Sequence, residues 1–122
     1  IYVIQDSSHS LGAKYKNSKV GDCKFSDITV FSFHPVKIIT TGEGGVATTK
    51  SKKLFNYMQM FRTHGITKDS KFFKKANKNT WYFEQQVLGY NYRMSNILAS
   101  IGRGQLEQID SKVNKRGLAT SY

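Results

Sequence analysis

Ile28-Thr-Val-Phe-Ser-Phe-His-Pro-Val-Lys37-Ile-Ile-Thr-Thr-Gly-Glu-Gly-Gly45 reads as a strand, a stop, one lysine and a glycine-rich turn. The β-branched and aromatic run predicts a strand over Ile28–Phe33. Pro35 ends it, because proline has no N–H to give to a ladder. Gly42, Gly44 and Gly45 predict a tight turn before a short third strand, Val46–Thr49. A lysine leaving a buried strand sheds part of its hydration, which favours the free amine and so its attack on a carbonyl.

Upstream, Ile1–Gln5 is an apolar run of strand length, apolar on both faces as in a parallel sheet covered on both sides. Asp6 closes that run and is expected to reach the same crevice as Lys37 from a neighbouring strand end. An amine for an aldehyde and a carboxylate for a cationic ring nitrogen are complementary halves of one site. The residues alone leave a second reading of Asp6, an Asx turn or helix N-cap.

Downstream, Ser51 is expected to cap a helix through about Arg62, with Leu54, Met58 and Phe61 on one stripe. Residues 65 to 80 lose periodicity and carry Lys68, Lys71, Lys74, Lys75 and Lys78, which predicts a mobile surface loop. A second helix is expected from about Ser95, with Leu98, Ile101, Leu106 and Ile109 on one face. Ala99, Ser100, Gly102 and Gly104 are small enough to admit a neighbouring backbone. Asp110 to Tyr122 is expected to continue as helix. Three strands followed by helices suit a slice of a mixed α/β layer.

The 122 residues carry 19 basic and 8 acidic side chains, a net charge of +11. That excess admits a polyanionic partner, and aromatics Phe72, Phe73, Trp81, Tyr82 and Phe83 near the loop lysines would suit stacking on bases. Yet 15 of the 19 are Lys and 4 are Arg, so the bidentate fork that reads phosphate is scarce. Scattered solvated lysines are the simpler account. A lone Cys23 forms no internal disulfide, fits a reducing compartment and has no partners at metal-ligand spacing, so no metal is expected. No apolar run approaches the ~20 residues of a membrane span. A chain that opens on Ile1 inside a strand pattern and stops inside a helix pattern reads as an excerpt of a longer protein.

Five blocks in order carry a resemblance: Asp6-Ser-Ser-His9, Ser32-Phe-His-Pro-Val-Lys37, Thr40-Thr-Gly-Glu-Gly-Gly45, Arg62-Thr-His-Gly65 and Gly89-Tyr-Asn-Tyr-Arg-Met94. Together they resemble the DegT/DnrJ-type nucleotide-sugar aminotransferases, pyridoxal phosphate (PLP) enzymes of the type I aspartate aminotransferase fold. The resemblance implies an α/β fold, with residues 1–110 as the central part of the PLP-binding large domain and 111–122 starting the helix towards a small domain. It implies Lys37 as the Schiff-base lysine and proton carrier, Asp6 at the pyridine nitrogen, His9 near the phenolic oxygen and Ser32 at the cofactor phosphate. Asn91 is implied to reach that phosphate from the neighbouring subunit, so that a homodimer shares its sites. Tyr90, Tyr92 and Arg93 flank that contact or pack the interface.

Ser7 and Ser8 depart from the small apolar pair common in the family, and either hydroxyl is expected to cap a following turn. His34 is read as structural or at the substrate edge. The glycines at 42, 44 and 45 lack the ending of a phosphate-binding P-loop and are read as a turn. Wording around Lys37 and Trp81-Tyr-Phe-Glu84 is similar to the pseudaminic-acid branch. That branch implies transfer of an amino group from L-glutamate to C4 of a UDP-linked 4-keto-6-deoxy amino sugar, in the cytoplasm, without nucleic acid or membrane. Alternatives within the family are a C3 or C4 aminotransferase on a TDP- or GDP-sugar, or a non-catalytic PLP-binding regulator. A dehydratase variant is disfavoured, since those enzymes replace the lysine with histidine. The excerpt alone is expected to be inactive.

Overall fold

The structure is a computed structural model that describes residues 1–77 and 79–119. It divides into two compact units, one made of Ile1–Ser51 with the chain from Met94 onward, the other of Lys52–Arg93.

The first unit is built on a three-stranded mixed sheet. Strand β1 (Ile4–Asp6) pairs in parallel with a later strand over Ile28–Ser32, matching Ile4 to Ile28 and Asp6 to Val30. Between them, Lys14–Tyr15 (β2) and Ser18–Lys19 (β3) make a small antiparallel ribbon, so Ile28–Ser32 is β4. Its other edge pairs antiparallel with β5 (Gly45–Thr48), where Ser32 faces Gly45. A Cβ at Gly45 would lie 2.7 Å from the Phe31 carbonyl oxygen, so only glycine fits that approach. The first strand is shorter than expected, and Ile1 to Ile4 are exposed.

Only Phe31 and Ile39 among the described hydrophobic residues are deeply buried, at 4% and 2% exposure. Polar side chains complete the interior. Thr29, 0% exposed, shares hydrogen bonds with Ser26 Oγ at 2.9 Å and Gln5 Oε1 at 3.3 Å. Cys23 Sγ lies 3.3 Å from the Thr48 carbonyl oxygen and 3.6 Å from Thr29 Oγ1. A buried polar group costs little once its hydrogen bonds are made, which is how Thr29 can sit where a valine would be expected.

Two helices close this unit. The Ser95 hydroxyl oxygen accepts from Leu98 N–H and caps the helix Asn96–Leu106 at its start. A further helix runs over Ile109–Ala119, and residues 120–122 of the expected segment lie outside the described residues. The packed face of Asn96–Leu106 is Leu98, Gly102 and Gln105, continued by Ile109, whereas Ile101 and Leu106 are exposed. This corrects the expected stripe. Gly102 is the reason, because a Cβ there would meet Thr41 Cγ2 at 2.7 Å, so the helix turns its smallest residue, not its largest, to the loop between β4 and β5.

In the second unit the first helix of the chain, α1 (Lys52–Phe61), half-buries Leu54 and Met58. Phe61 is exposed, so it does not extend the stripe. The helices of the first unit are therefore α2 and α3. The stretch read as a mobile surface loop is mostly exposed over its described residues and also carries short elements. Strands β6 (Ile66–Thr67) and β7 (Glu84–Gln85) pair antiparallel, and a 3₁₀ turn at Ser70–Phe72 is capped by Asp69. Phe73 meets Tyr82 edge-on at 5.0 Å, and both Glu84 carboxylate oxygens accept from Lys74 N–H. Lys78 lies outside the described residues.

Gly65 has a φ of +70°, and a Cβ there would lie 1.8 Å from the Val87 carbonyl oxygen. Gly65→Ala is therefore expected to destabilise by at least ~1–3 kcal/mol, as overpacking against fixed backbone does. Gly104→Ala, with open space around it in a helix, is expected to stabilise by about 0.5–1 kcal/mol. Urea unfolding midpoints of the two variants should move in opposite directions.

Candidate functional site

Parallel pairing sets the carboxyl ends of β1 and β4 side by side, the position where open α/β sheets present groups to ligands. From β1 the chain leaves through Asp6-Ser-Ser-His9, and Ser7 N–H donates to the Val30 carbonyl at 2.8 Å, extending the ladder one residue. From β4 it leaves through Phe33 to Thr41. That second loop closes on itself: Thr41 N–H and the Thr40 hydroxyl both donate to the Phe33 carbonyl, at 3.1 and 2.8 Å. Lys37 N–H donates to the His34 carbonyl at 3.0 Å, which puts the lysine on a one-turn bend within the closed loop.

The two loops meet through their side chains. Lys37 Nζ lies 2.8 Å from His9 Nε2, with Lys37 half-buried and His9 exposed. The ammonium donates when the imidazole is neutral and carries its proton on Nδ1. Asp6 accepts from both the backbone N–H (3.0 Å) and the hydroxyl (2.6 Å) of Ser8 on the same oxygen, Oδ1. These two bonds, led by the hydroxyl, hold its carboxyl below the usual carboxylate range, and the nearby positive ends of His9 and Lys37 act in the same direction. The Asx-turn reading of Asp6 is thus correct for Oδ1. Oδ2 has no hydrogen bond among the described residues and stays open to a ligand.

The remaining candidates separate. Ser32 Oγ accepts from His34 N–H at 3.3 Å, which leaves its own O–H free to donate. His34 Nδ1 accepts from Val36 N–H at 3.4 Å and so braces the bend ahead of Lys37, the structural half of its expected role. Gly42 and Gly44, at φ of +84° and +156°, turn the chain back into β5 as a turn and not a cradle. Neither hydroxyl caps a following turn: Ser8 Oγ donates back to Asp6 Oδ1, and Ser7 is 1% exposed with an unpartnered hydroxyl.

Asn91 belongs to the second unit. The Thr63–Asn91 bridge, His64 N–H to Tyr90 O (2.8 Å) and Tyr92 N–H to Arg62 O (3.0 Å) zip Arg62–Gly65 onto Gly89–Arg93. A Cβ at Gly89 would fall 2.1 Å from Gly65 N. Tyr90 and Tyr92 stack at 4.9 Å with Asn91 exposed between them in sequence. Among the described residues no group of three His, Cys, Asp or Glu is placed to hold a metal ion. No described helix is long and apolar enough to cross a membrane.

The donor set fits a PLP-type cofactor: an amine that can condense with an aldehyde, an ionised carboxylate with one open oxygen, and a hydroxyl with a free donor. The sequence profile of the DegT/DnrJ/EryC1/StrS aminotransferase family matches residues 1–122. The UDP-4-amino-4,6-dideoxy-N-acetyl-β-L-altrosamine transaminase of Campylobacter jejuni serotype O:23/36 is 41% identical over 122 residues, covering 100% of this chain and 30% of that protein. The GDP-perosamine synthase of Escherichia coli O157:H7 is 41% identical over 123 residues, again covering 100% and 30%. Among solved structures, Helicobacter pylori PseC, an aminotransferase of pseudaminic-acid biosynthesis, superposes with a TM-score of 0.76 at 36% identity, over 90% of this chain and 27% of that one. The sugar aminotransferase Spr1654 of Streptococcus pneumoniae, in its pyridoxamine phosphate form, gives 0.83 at 33% identity over 99% and 31%. The fold is thus that of the expected class, a mixed sheet with helices from an aminotransferase. The chain spans about 30% of the length of these curated relatives.

Because the Ser8 hydroxyl is the leading cause that depresses Asp6, Ser8→Ala, which keeps the backbone N–H bond, should raise the Asp6 titration midpoint part of the way towards the ordinary value. A carboxyl depressed in the folded state adds stability at pH above its unfolded value and loses it as pH falls through the folded one. Carbon-13 titration of the Asp6 carboxyl should show the upward move, and the acid limb of unfolding should flatten in the variant.

Proposed function

The chain belongs to the DegT/DnrJ/EryC1/StrS aminotransferase family, and we propose that the protein transfers an amino group from L-glutamate to the C4 keto group of a UDP-linked 4-keto-6-deoxy amino sugar. The observation that carries the reading is the Lys37 amine against His9, beside an ionised Asp6 on the adjoining strand end. Similarity to the altrosamine transaminases of C. jejuni, at 41% and 42% identity, and to PseC supports the UDP-sugar substrate. Equal identity to a GDP-perosamine synthase supports a second reading, the same chemistry on a GDP-linked sugar.

Pyridoxal phosphate is the cofactor, and when bound it supplies the aldehyde and the electron-withdrawing ring that amino-group transfer needs. Lys37 Nζ is the amine that would hold the aldehyde, and as a free amine it is the group placed to take up and return a proton. Asp6 Oδ2, the open oxygen of an ionised carboxylate, would hold a protonated ring nitrogen, and its fixed negative charge needs no reorganisation. His9 Nε2 steadies the Lys37 amine and would contact the cofactor beside it. Ser32 Oγ–H would donate to the cofactor phosphate. Asn91 serves the phosphate of the partner subunit in a homodimer, presented by the zipped backbone of its own unit.

Borohydride reduction of the full-length holoprotein followed by peptide mapping is expected to place the label on Lys37, and Lys37→Ala to abolish both label and turnover. Asp6→Asn should lower kcat on the order of 10²–10³-fold while leaving the label in place. Label on any other lysine would refute the assignment. Parallel assays with UDP- and GDP-linked 4-keto-6-deoxy sugars decide between the two substrate readings.

A further inference from the structure

The loop that carries Lys37 is gripped from outside by one side chain of α2. Thr40 N–H donates to Gln105 Oε1 at 3.2 Å, and Gln105 Nε2 donates to the Thr40 carbonyl at 3.1 Å. A primary amide paired this way with a single residue's N–H and C=O stands in for the backbone of an additional strand. Lys112 Nζ, one helix later, donates to the same Oε1 at 3.0 Å. The amide orientation is fixed by this set, since two donors converge on Oε1 and a carbonyl faces Nε2; turning it over would set donor against donor twice. One turn earlier on α2, Gly102 admits Thr41 Cγ2, and Thr41 itself is 1% exposed beside Ile39. Thr40 is thereby held at every polar atom: its hydroxyl donates to Phe33 O and accepts from Gly42 N–H at 2.9 Å.

We propose that Gln105 is a positioning residue for the reaction, clamping the base of the loop so that Lys37 stays where His9 and Asp6 can act with it. This rests on the reading of Lys37 given above. Geometry supplies the need for a clamp. Within the loop, Pro35 has no N–H, and Val36 and Lys37 N–H bond only to the His34 they have just left. The bend therefore has local order and no ladder of its own. Its position relative to β1 is set where the loop closes, at Thr40 and Thr41. Without Gln105, Thr40 would keep only its bonds within the loop, letting the whole loop shift against α2, and a displacement on the order of 1 Å at a reacting group can cost about 10²-fold in rate.

Three variants of the full-length protein test this: Gln105→Leu, which keeps volume and removes both bonds; Gln105→Glu, which keeps an acceptor for Lys112 and loses the donor to Thr40 O; and Lys112→Met, which leaves the amide pair intact. Gln105→Leu and Gln105→Glu are expected to lower kcat about 10- to 100-fold with KM for both substrates within about threefold. Visible circular dichroism of the bound cofactor should weaken alongside. Lys112→Met should shift both readouts in the same direction by less. Amide hydrogen exchange supplies a measure independent of the cofactor: exchange at residues 38–42 should quicken in Gln105→Leu while the amides of α2 hold their protection. Unchanged exchange in the loop, or kcat within twofold of the parent, would overturn the proposal. So would equal loosening of α2 and loop, which marks a purely structural residue. If borohydride labels a lysine other than Lys37 in the parent, the assignment of the Schiff-base lysine fails instead, and the clamp stands or falls on the exchange measurement.

Discussion

Parallel pairing of β1 with β4 is the constraint from which the site follows. Parallel strands end on the same edge, so the residue that closes one and the loop that leaves the other emerge together. Asp6 opposite Val30 fixes the offset, and the chain then has seven residues from Phe33 to Ile39 in which to bring Lys37 back towards His9. Antiparallel pairing of the same two strands would send Asp6 and Lys37 to opposite edges. The antiparallel β5 on the other side of β4 serves this arrangement, because the Gly42–Gly45 turn returns the chain alongside β4 and leaves the Lys37 loop standing free of the sheet.

Much of this was legible in the residues. β-branched content marked β4, Pro35 its end, the glycines the turn into β5, and Ser95 the start of α2. What stayed hidden has a common cause, that polar side chains do work usually assigned to apolar ones. Thr29 is the most buried residue of β4, and Gln105 lies on the packed face of α2 where periodicity counted Ile101 and Leu106 instead. Hydrophobic spacing finds a helix face only if large apolar residues fill it, and here the face is cut by Gly102 and completed by an amide. A glutamine on a helix reads as solvated unless the peptide group it pairs with is known. β6 and β7 escaped for another reason, since two-residue strands are too short to show alternation.

The two glycine-bearing blocks of the second unit illustrate how widely separated motifs can encode one contact. Arg62-Thr-His-Gly65 and Gly89-Tyr-Asn-Tyr-Arg93 are individually unremarkable in composition. In the fold they lie backbone to backbone, and each glycine occupies space that a side chain on the other would need. His64, at a φ of +61°, accepts a left-handed backbone next to Gly65 so that the helix α1 can stop and turn into this zipper. The stacked tyrosines then leave the exposed Asn91 on a segment whose backbone is already paired. An exposed asparagine on a paired backbone keeps its side-chain rotamers but has already lost its backbone freedom, so ordering it costs less than ordering one on an unpaired loop.

The same economy governs Asp6. One oxygen is committed to Ser8 and the other is open, so the carboxylate is oriented without being neutralised. A salt bridge would have oriented it as well, but a cation bound to both oxygens would compete with any protonated ring for the same charge. Hydrogen bonds from a neutral hydroxyl and a backbone N–H favour the ionised form and leave its net charge intact. Ser8 therefore does more than close an Asx turn. It lets an exposed aspartate remain a full negative charge in a fixed place, and that is the property a positively charged ring nitrogen requires of its partner.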